Sequence, residues 1–346
     1  MRMAFRWFAA QDPVPLAYIA QIPGVRSVVT ALYDIAPGAA WPLERLLELK
    51  AQVEAVGLSL DVIESIPVHE DIKLGRPARE RWAENYCASI SAMGAAGIPV
   101  LCYNFMPVFD WVRTDLARRL ADGSNALAYD DAALLDFDPS HDSLALPGWG
   151  ATYSADELRS LLHAYQDVDE QRLWDNLGWF IDQIVPAAES AHVKLAVHPD
   201  DPPWSLLGLP RILTSGAALR RLTELNDSPV NGVTFCTGSL APAGAQELPC
   251  HARELGARGR IHFAHCRNVK LDGERAFHEV AHPGNYGDVD MLAVLRALQK
   301  TGFDGCIRPD HGRMIWGETG RPGYGLYDRA LGAAYLNGLW EAIERT

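Results

Sequence analysis

PLERLLELKAQVEAVGLSLDVIESI, residues 42–66, holds in one stretch the alternation from which the architecture follows. Leu43, Leu46, Leu49 and Val53 recur at spacings of three and four, which puts them on one face of a helix. Gly57 closes that helix, because glycine accepts the left-handed backbone that a helix end requires. A short β-rich run, SLDVIESI, follows at once.

Outward from this unit the design repeats. MAFRWF, SVVTAL, SLDVIESI, PVLCYNF, VKLAVHP, NGVTFCTG, RIHFAHCRNV and GCIRPD form a series of β-rich runs from Met3 to Asp310. Helical patterns lie between most of them, among them ERWAENYCASISAMGAAG ending at Gly97 and DVDMLAVLRALQKTG ending at Gly302. Strands that alternate with helices pair in parallel. Eight such units in 346 residues suit an α/β fold of the closed TIM (β/α)8 barrel type better than an open doubly wound sheet. Residues 1–346 therefore read as one barrel domain. No G-x-G-x-x-G follows an early strand and no Walker A motif occurs, which disfavours nucleotide binding.

One interval breaks the rhythm. Residues 109–153, from Phe109 to Tyr153, form a long insertion after strand 4, rich in Asp, Ala, Gly and Pro and containing Trp111 and Trp149. A loop after a barrel strand lies on the catalytic face, so the insertion reads as a lid or a dimer contact. A tolerated surface insertion is the alternative.

Lys and Arg total 31 against 44 Asp and Glu, a net charge of −13. Nucleic acid and anionic membrane surfaces would be repelled, leaving a small molecule as the expected partner. MRMAFRWFAA lacks the apolar stretch of a secretory signal, and no run approaches the ~20 apolar residues of a membrane span. A soluble cytoplasmic protein is the expectation. Cys102, Cys236, Cys266 and Cys306 fall in or beside buried-looking strands, which points to reduced thiols rather than disulfides.

Active sites of such barrels form where strands end. The strand ends here carry Trp7, Glu64, Asn104, His198, Cys236, His265 and Asp310. Each taken singly has a structural explanation, as a hydrogen-bonded core histidine, a small buried cysteine or a turn-capping aspartate. Four consecutive strands presenting two imidazoles, a thiolate and a carboxylate point instead to a divalent cation held by His198, Cys236, His265 and Asp310. His262 competes with His265, but the latter sits nearer the strand end. Arg267, Lys270, Arg308 and Arg313 make a basic rim in an acidic protein, which suits an anionic substrate such as a sugar acid.

FRWF, TALYDI, VIESIPVHEDIKLG, CYNFMPVFDWVRTDL, IHFAHCRNVK, RPDHGRMIW and RPGYGLYDRALG together resemble the D-mannonate dehydratases of the xylose-isomerase-like barrel group, and the likeness spans nearly the whole chain. The resemblance implies loss of water from D-mannonate to give 2-keto-3-deoxy-D-gluconate in hexuronate breakdown. It also implies Mn²⁺ or another divalent metal as cofactor. Ligand chemistry alone suits Zn²⁺ or Fe²⁺ at least as well. His198, Cys236, His265 and Asp310 match the ligand positions, and His311 and Tyr324 match those of the catalytic chemistry, with base and acid unassigned between them. Trp7, Tyr33, Glu64, His69, Tyr103, Asn104, Arg267, Lys270 and Arg313 are the expected substrate-binding set, with helix N-capping the alternative for His69. A homo-oligomer, a dimer, is the expected assembly. The rival readings are a metal-dependent sugar isomerase or epimerase on the same barrel and a non-catalytic sugar-acid sensor.

Overall fold

The structure is a computed structural model that describes residues 1–135 and 154–346. Its strands in chain order are β1 (Arg2–Arg6), β2 (Val25–Thr30), β3 (Ser59–Glu64), β4 (Val100–Tyr103), β5 (Asp115–Arg119), β6 (Asn125–Asp130), β7 (Lys194–Val197), β8 (Asn231–Cys236), β9 (Ile261–His265), β10 (Asn268–Gly273), β11 (Ala276–Val280) and β12 (Cys306–Arg308). Eight of these close a barrel in the order β1, β12, β9, β8, β7, β4, β3, β2. Every neighbouring pair is parallel. The eight runs read from the sequence are these eight strands.

The connecting helices form as their spacing predicts. Leu43–Glu54 buries Leu46, Leu49 and Val53, and Met291–Lys300 buries Met291, Val294, Leu295 and Leu298. Gly57, Gly97 and Gly302, which close three helices, have φ of +79°, +69° and +77°, values that a side chain would resist. The larger apolar core lies between barrel and helices, where each buried Val, Leu or Ile contributes about 1.5–3 kcal/mol relative to exposure. Inside the barrel a smaller cluster of Ala4, Val29, Val62, Val100, Cys102, Ala196, Phe263 and Cys306 fills the axis. All six cysteines are free thiols, four of them buried, as their placement in strands predicts.

Register decides which strand ends meet. Cys236 pairs with His265 across β8 and β9, His265 pairs with Arg308 across β9 and β12, and Glu64 pairs with Cys102 across β3 and β4. These side chains stand at one depth because their backbones are hydrogen-bonded neighbours.

A second sheet, antiparallel in the order β10, β11, β6, β5, is built from the chain after β4 and the chain after β9. Two readings from the sequence change here. RIHFAHCRNV is not one strand, since the barrel strand stops at His265 and Asn268 begins β10. The start of the 109–153 insertion, without a clear period of its own, is ordered as β5 and β6 by pairing of β6 with β11, Phe277 opposite Tyr129. Residues 136–153 of that insertion, including Trp149, lie outside the described residues. Among the described residues no helix is long and apolar enough to cross a membrane.

Candidate active site

A cavity of about 330 Å³ opens at the ends of the barrel strands, lined among others by Arg6, Tyr33, Glu64, Tyr103, Asn104, Trp111, His198, Arg267, Arg308, Asp310, His311 and Tyr324. Asp310 has a left-handed backbone, φ +59°, a region that Asp tolerates better than most residues. The turn lets the consecutive Asp310 and His311 both face the cavity. Arg6, Glu64, Arg267 and Arg308 line the cavity with buried charges engaged in ion pairs, whereas the buried Tyr103 hydroxyl has no hydrogen-bond partner among the described residues. Unpaired buried donors and acceptors are costly, so the cavity is built for a polar occupant.

Three of the strand-end donors converge, and Asp310 lies beside two of them. His198, Cys236 and His265 each offer a ligand atom, and these atoms lie within 4.8 Å of one another. His198 Nε2 is 3.1 Å from His265 Nδ1, and Asp310 Oδ2 is 3.7 Å from Cys236 Sγ and 3.8 Å from His265 Nδ1. Two imidazole nitrogens and a sulfur within one ion's reach, with the Asp310 carboxylate beside two of them, are a donor set that fits a divalent cation.

The surrounding charges ready these groups. Burial pushes the Cys236 thiol up, but Arg267 and His198 outweigh it and hold it well below the usual thiol range. Burial lowers His198, yet its hydrogen bond and charge interaction with Cys236 raise it to about 9. Cys236 and His198 thus favour each other's charged forms, and a bound cation would take the place of the proton they share. Burial raises Asp310 and Glu64, and Arg308 above all pulls both well below the carboxylate range. Arg308 Nη2 donates to Glu64 Oε1 at 2.8 Å, and Arg308 Nε donates to His265 Nε2 at 3.0 Å.

Beside the donors stands a second constellation. His311 Nε2 is 2.9 Å from the Tyr324 hydroxyl, and His311 Nδ1 is 2.6 Å from Glu279 Oε1. Trp111 packs over the His311 ring at 4.5 Å between centroids, and Phe8 meets Tyr324 edge-on at 4.7 Å. Burial holds the Tyr324 phenol above its ordinary value, so it is protonated at neutral pH.

A family model described as D-mannonate dehydratase (UxuA) matches residues 1–346. The chain is 53% identical to mannonate dehydratase 2 of Halalkalibacterium halodurans over 343 residues, 99% of either chain. It is 52% identical to the mannonate dehydratase of Streptococcus agalactiae serotype III, again over 99% of both. The crystal structure of mannonate dehydratase from Streptococcus suis serotype 2 superimposes with a TM-score of 0.93 at 50% identity, covering 100% of this chain and 95% of that one. The chain belongs to the D-mannonate dehydratase family. An L-ribulose 3-epimerase at 14% identity and TM-score 0.53 shares the barrel fold, and a xylose isomerase domain protein from Planctomyces limnophilus, at 13% and 0.54, does so too.

In this D-mannonate dehydratase family member, Tyr33, Glu64, Tyr103, Asn104 and Arg267 of the expected substrate-binding set line the cavity. Trp7 does not: it packs into the main apolar core, and its neighbours Arg6 and Phe8 take the cavity positions. His69 accepts a hydrogen bond from the Asp71 backbone N–H as N-cap of the turn Glu70–Lys73 and stacks on Trp82. Lys270 is half-exposed and pairs with Asp288 at 2.7 Å. Arg313 is held by Asp328 and Asp122. Those four are not brought to the cavity. Length and charge invited these readings, but the flanking carboxylates claimed both cations first. His262 lies deeper than His265, its Nδ1 2.7 Å from the Leu195 carbonyl.

Several residues of the site went unremarked in the sequence. Arg113, Asp201 and Glu279 form a buried ionic cage around Arg267: Arg113 holds Asp201 at 2.8 Å and Glu279 at 3.1 Å, and Arg267 pairs with both. Asp201 stands three residues beyond His198, so its position after a site strand was the available signal. Glu279 carried none, because β11 belongs to the second sheet.

Proposed function

We infer that this chain removes water from D-mannonate, giving 2-dehydro-3-deoxy-D-gluconate, and works as a hydro-lyase. The observation that carries the reading is the contact of His311 with Tyr324 beside the metal-capable donors His198, Cys236 and His265, with Asp310 against Cys236. Dehydration of an aldonate needs a group to take the C2 proton and a group to protonate the departing C3 hydroxyl, because hydroxide leaves poorly. His311 and Tyr324 are that pair. The C2 proton is weakly acidic beside a carboxylate, and its removal places negative charge on the neighbouring oxygens.

His198, Cys236, His265 and Asp310 would hold a divalent cation, which when bound supplies positive charge at those oxygens. Mn²⁺ is the proposed metal, with Fe²⁺ the alternative. Arg308 and Arg267 neutralise Asp310 and Glu64 and keep the site open to an anion. Tyr33, Tyr103, Asn104 and Arg6 offer polar atoms for the hydroxyl chain. Trp111, from the start of the 109–153 insertion, covers His311, which supports a lid role for that segment. The proposed setting is the cytoplasm and hexuronate breakdown, with the chain acting as a homodimer.

The test is incubation of the protein with Mn²⁺ and D-mannonate, followed by assay of the products. A 2-keto-3-deoxy acid is expected. A ketose or an epimer in its place, or binding without turnover, would overturn the reading in favour of an isomerase or a sensor.

A further inference from the structure

RPGY, residues 321–324, carries the pattern of a type II turn, with proline at the second position and, at the third, a glycine free to take positive φ. Gly323 has φ +76°, and the Tyr324 N–H donates to the Arg321 carbonyl at 2.9 Å. The turn is clamped from outside. The Gly312 N–H donates to the Gly323 carbonyl at 2.9 Å, and a Cβ on Gly323 would lie 2.4 Å from Leu127 Cδ1. One fixed turn therefore carries Arg321 at its first position and Tyr324 at its last, with Cα atoms less than ~7 Å apart.

Both side chains line the cavity, and both meet Phe8. Tyr324 meets that ring edge-on at 4.7 Å, and the Arg321 guanidinium lies 4.1 Å from its centroid. Of the four arginines that line the cavity, Arg6, Arg267 and Arg308 are ion-paired with Glu64 or Asp310. Among the described residues, the guanidinium of Arg321 has no ion pair and no hydrogen bond. Glu318, the acid nearest to it along the chain, accepts from the backbone N–H groups of Leu326 and Tyr327 instead. A planar group of five N–H donors, held flat on a ring at the cavity wall, is a receptor for ligand oxygens.

Depth decides which oxygens reach it. Dehydration holds C1 to C3 of the substrate against the metal-capable donors and the proton-transfer pair, where Cys236, His265, Asp310 and His311 are all buried. Arg321 is only partly buried, and Gln11, another lining residue, is exposed. An open-chain acid held by its first three carbons at the buried end sends C4 to C6 toward this mouth.

We propose that Arg321 is a specificity-determining residue that binds the C6 end of the substrate, and that its unpaired cation extends the activity to hexaric acids, which carry a second carboxylate at that end. This rests on the mannonate dehydratase reading. In D-mannarate each end has the C2 and C3 configuration of D-mannonate, so either end fits the reacting position while the other meets Arg321. The reaction balances as it does for the aldonate. C2 loses a proton, the C3–O bond breaks, the hydroxyl leaves with a proton as water, and the remaining enol tautomerises to a 2-keto-3-deoxyhexarate. A hydrogen bond from Arg321 to a carboxylate is roughly twice as strong as one to the neutral C6 hydroxyl.

The experiment compares the unsubstituted protein with Arg321→Met and Arg321→Lys, each full-length and loaded with Mn²⁺. Three acids are used: D-mannonate, D-mannarate and the four-carbon aldonate of the same C2 and C3 configuration. Turnover is read from release of the keto-deoxy acid and binding from titration calorimetry. The unsubstituted protein should dehydrate D-mannarate. Arg321→Met should raise KM and Kd about 10-fold for D-mannonate and about 100-fold for D-mannarate, with kcat within about threefold. Its Kd for the four-carbon acid, which ends short of Arg321, should stay within about threefold. Arg321→Lys should recover part of the loss on D-mannarate, because the charge returns without the planar fork.

An equal loss on the four-carbon acid would place Arg321 at the C1 carboxylate and overturn the proposal. So would a loss on D-mannarate no greater than on D-mannonate, or a protein that dehydrates D-mannonate and leaves D-mannarate untouched. If Arg321→Met does not fold, the Kd of the unsubstituted protein for D-mannarate should still rise more steeply with salt than that for D-mannonate, and parallel salt dependence overturns the assignment. Calorimetry needs no turnover, so the expected binding pattern without any deoxy acid would reject the dehydratase reading and leave the Arg321 subsite standing.

Discussion

At the scale of single residues, neighbours set the chemistry more than residue type does. Cys236 is an ordinary strand cysteine by sequence, but Arg267 and His198 draw its thiol well below the usual thiol range. Replacing it with serine leaves a neutral hydroxyl that ligates weakly, so Cys236→Ser is expected to lower metal affinity at least ~10-fold. Elemental analysis after dialysis against graded free Mn²⁺ reads this, and full retention of metal would remove Cys236 from the ligand set. His262 shows the opposite case. Burial lowers it from its usual ~6.5 to about 4. As pH falls from ~6.5 toward ~4 the unfolded chain takes up a proton that folded His262 refuses, so stability drops by about 3 kcal/mol across that window and levels off below it. Urea unfolding from pH 7 to 4 should show a shallower decline in His262→Asn than in the unsubstituted protein. Parallel curves would rule His262 out.

At the scale of elements, the helix Thr237–Gly244 after β8 illustrates a packing demand that overrides propensity. Alanine in place of glycine ordinarily stabilises a helix by up to about 1 kcal/mol. A Cβ at Gly238, however, would lie 2.2 Å from Arg267 Nε and 2.5 Å from its Cγ. Arg267 is buried and tied to Asp201, Glu279 and Asp310, so it cannot swing away cheaply. Overpacking of this kind costs about 1–3 kcal/mol, and Gly238→Ala is expected to lower both the unfolding midpoint and kcat. A gain in stability with normal turnover would show that Arg267 is free to move. The same element scale limits what the sequence discloses. Leu46, Leu49 and Val53 declared their helix by spacing alone. β5 and β6 gave no such pattern, because β6 is held by β11 across nearly 150 residues of chain, Phe277 against Tyr129.

At the scale of the whole molecule, the strand-end donors draw β7, β8, β9 and the chain after β12 to one point. A cation bound there stabilises only the closed barrel, by about 2.7 kcal/mol when its concentration is 100 times Kd. Chelation should therefore lower Tm, and added Mn²⁺ should raise it in a concentration-dependent way. A Tm indifferent to metal, measured by calorimetry on the chelated and reloaded protein, would reject the site. The alternation of strand and helix, the closure into a barrel and the four donors at strand ends were legible in the sequence, since periodicity and residue type are local properties that survive without neighbours. Tertiary structure alone put Arg6 rather than Trp7 into the cavity, paired Lys270 and Arg313 away from it, and brought Glu279 to His311 from 32 residues away. Those outcomes depend on strand register and on competition among charges for partners, and both are fixed only when distant segments pack together.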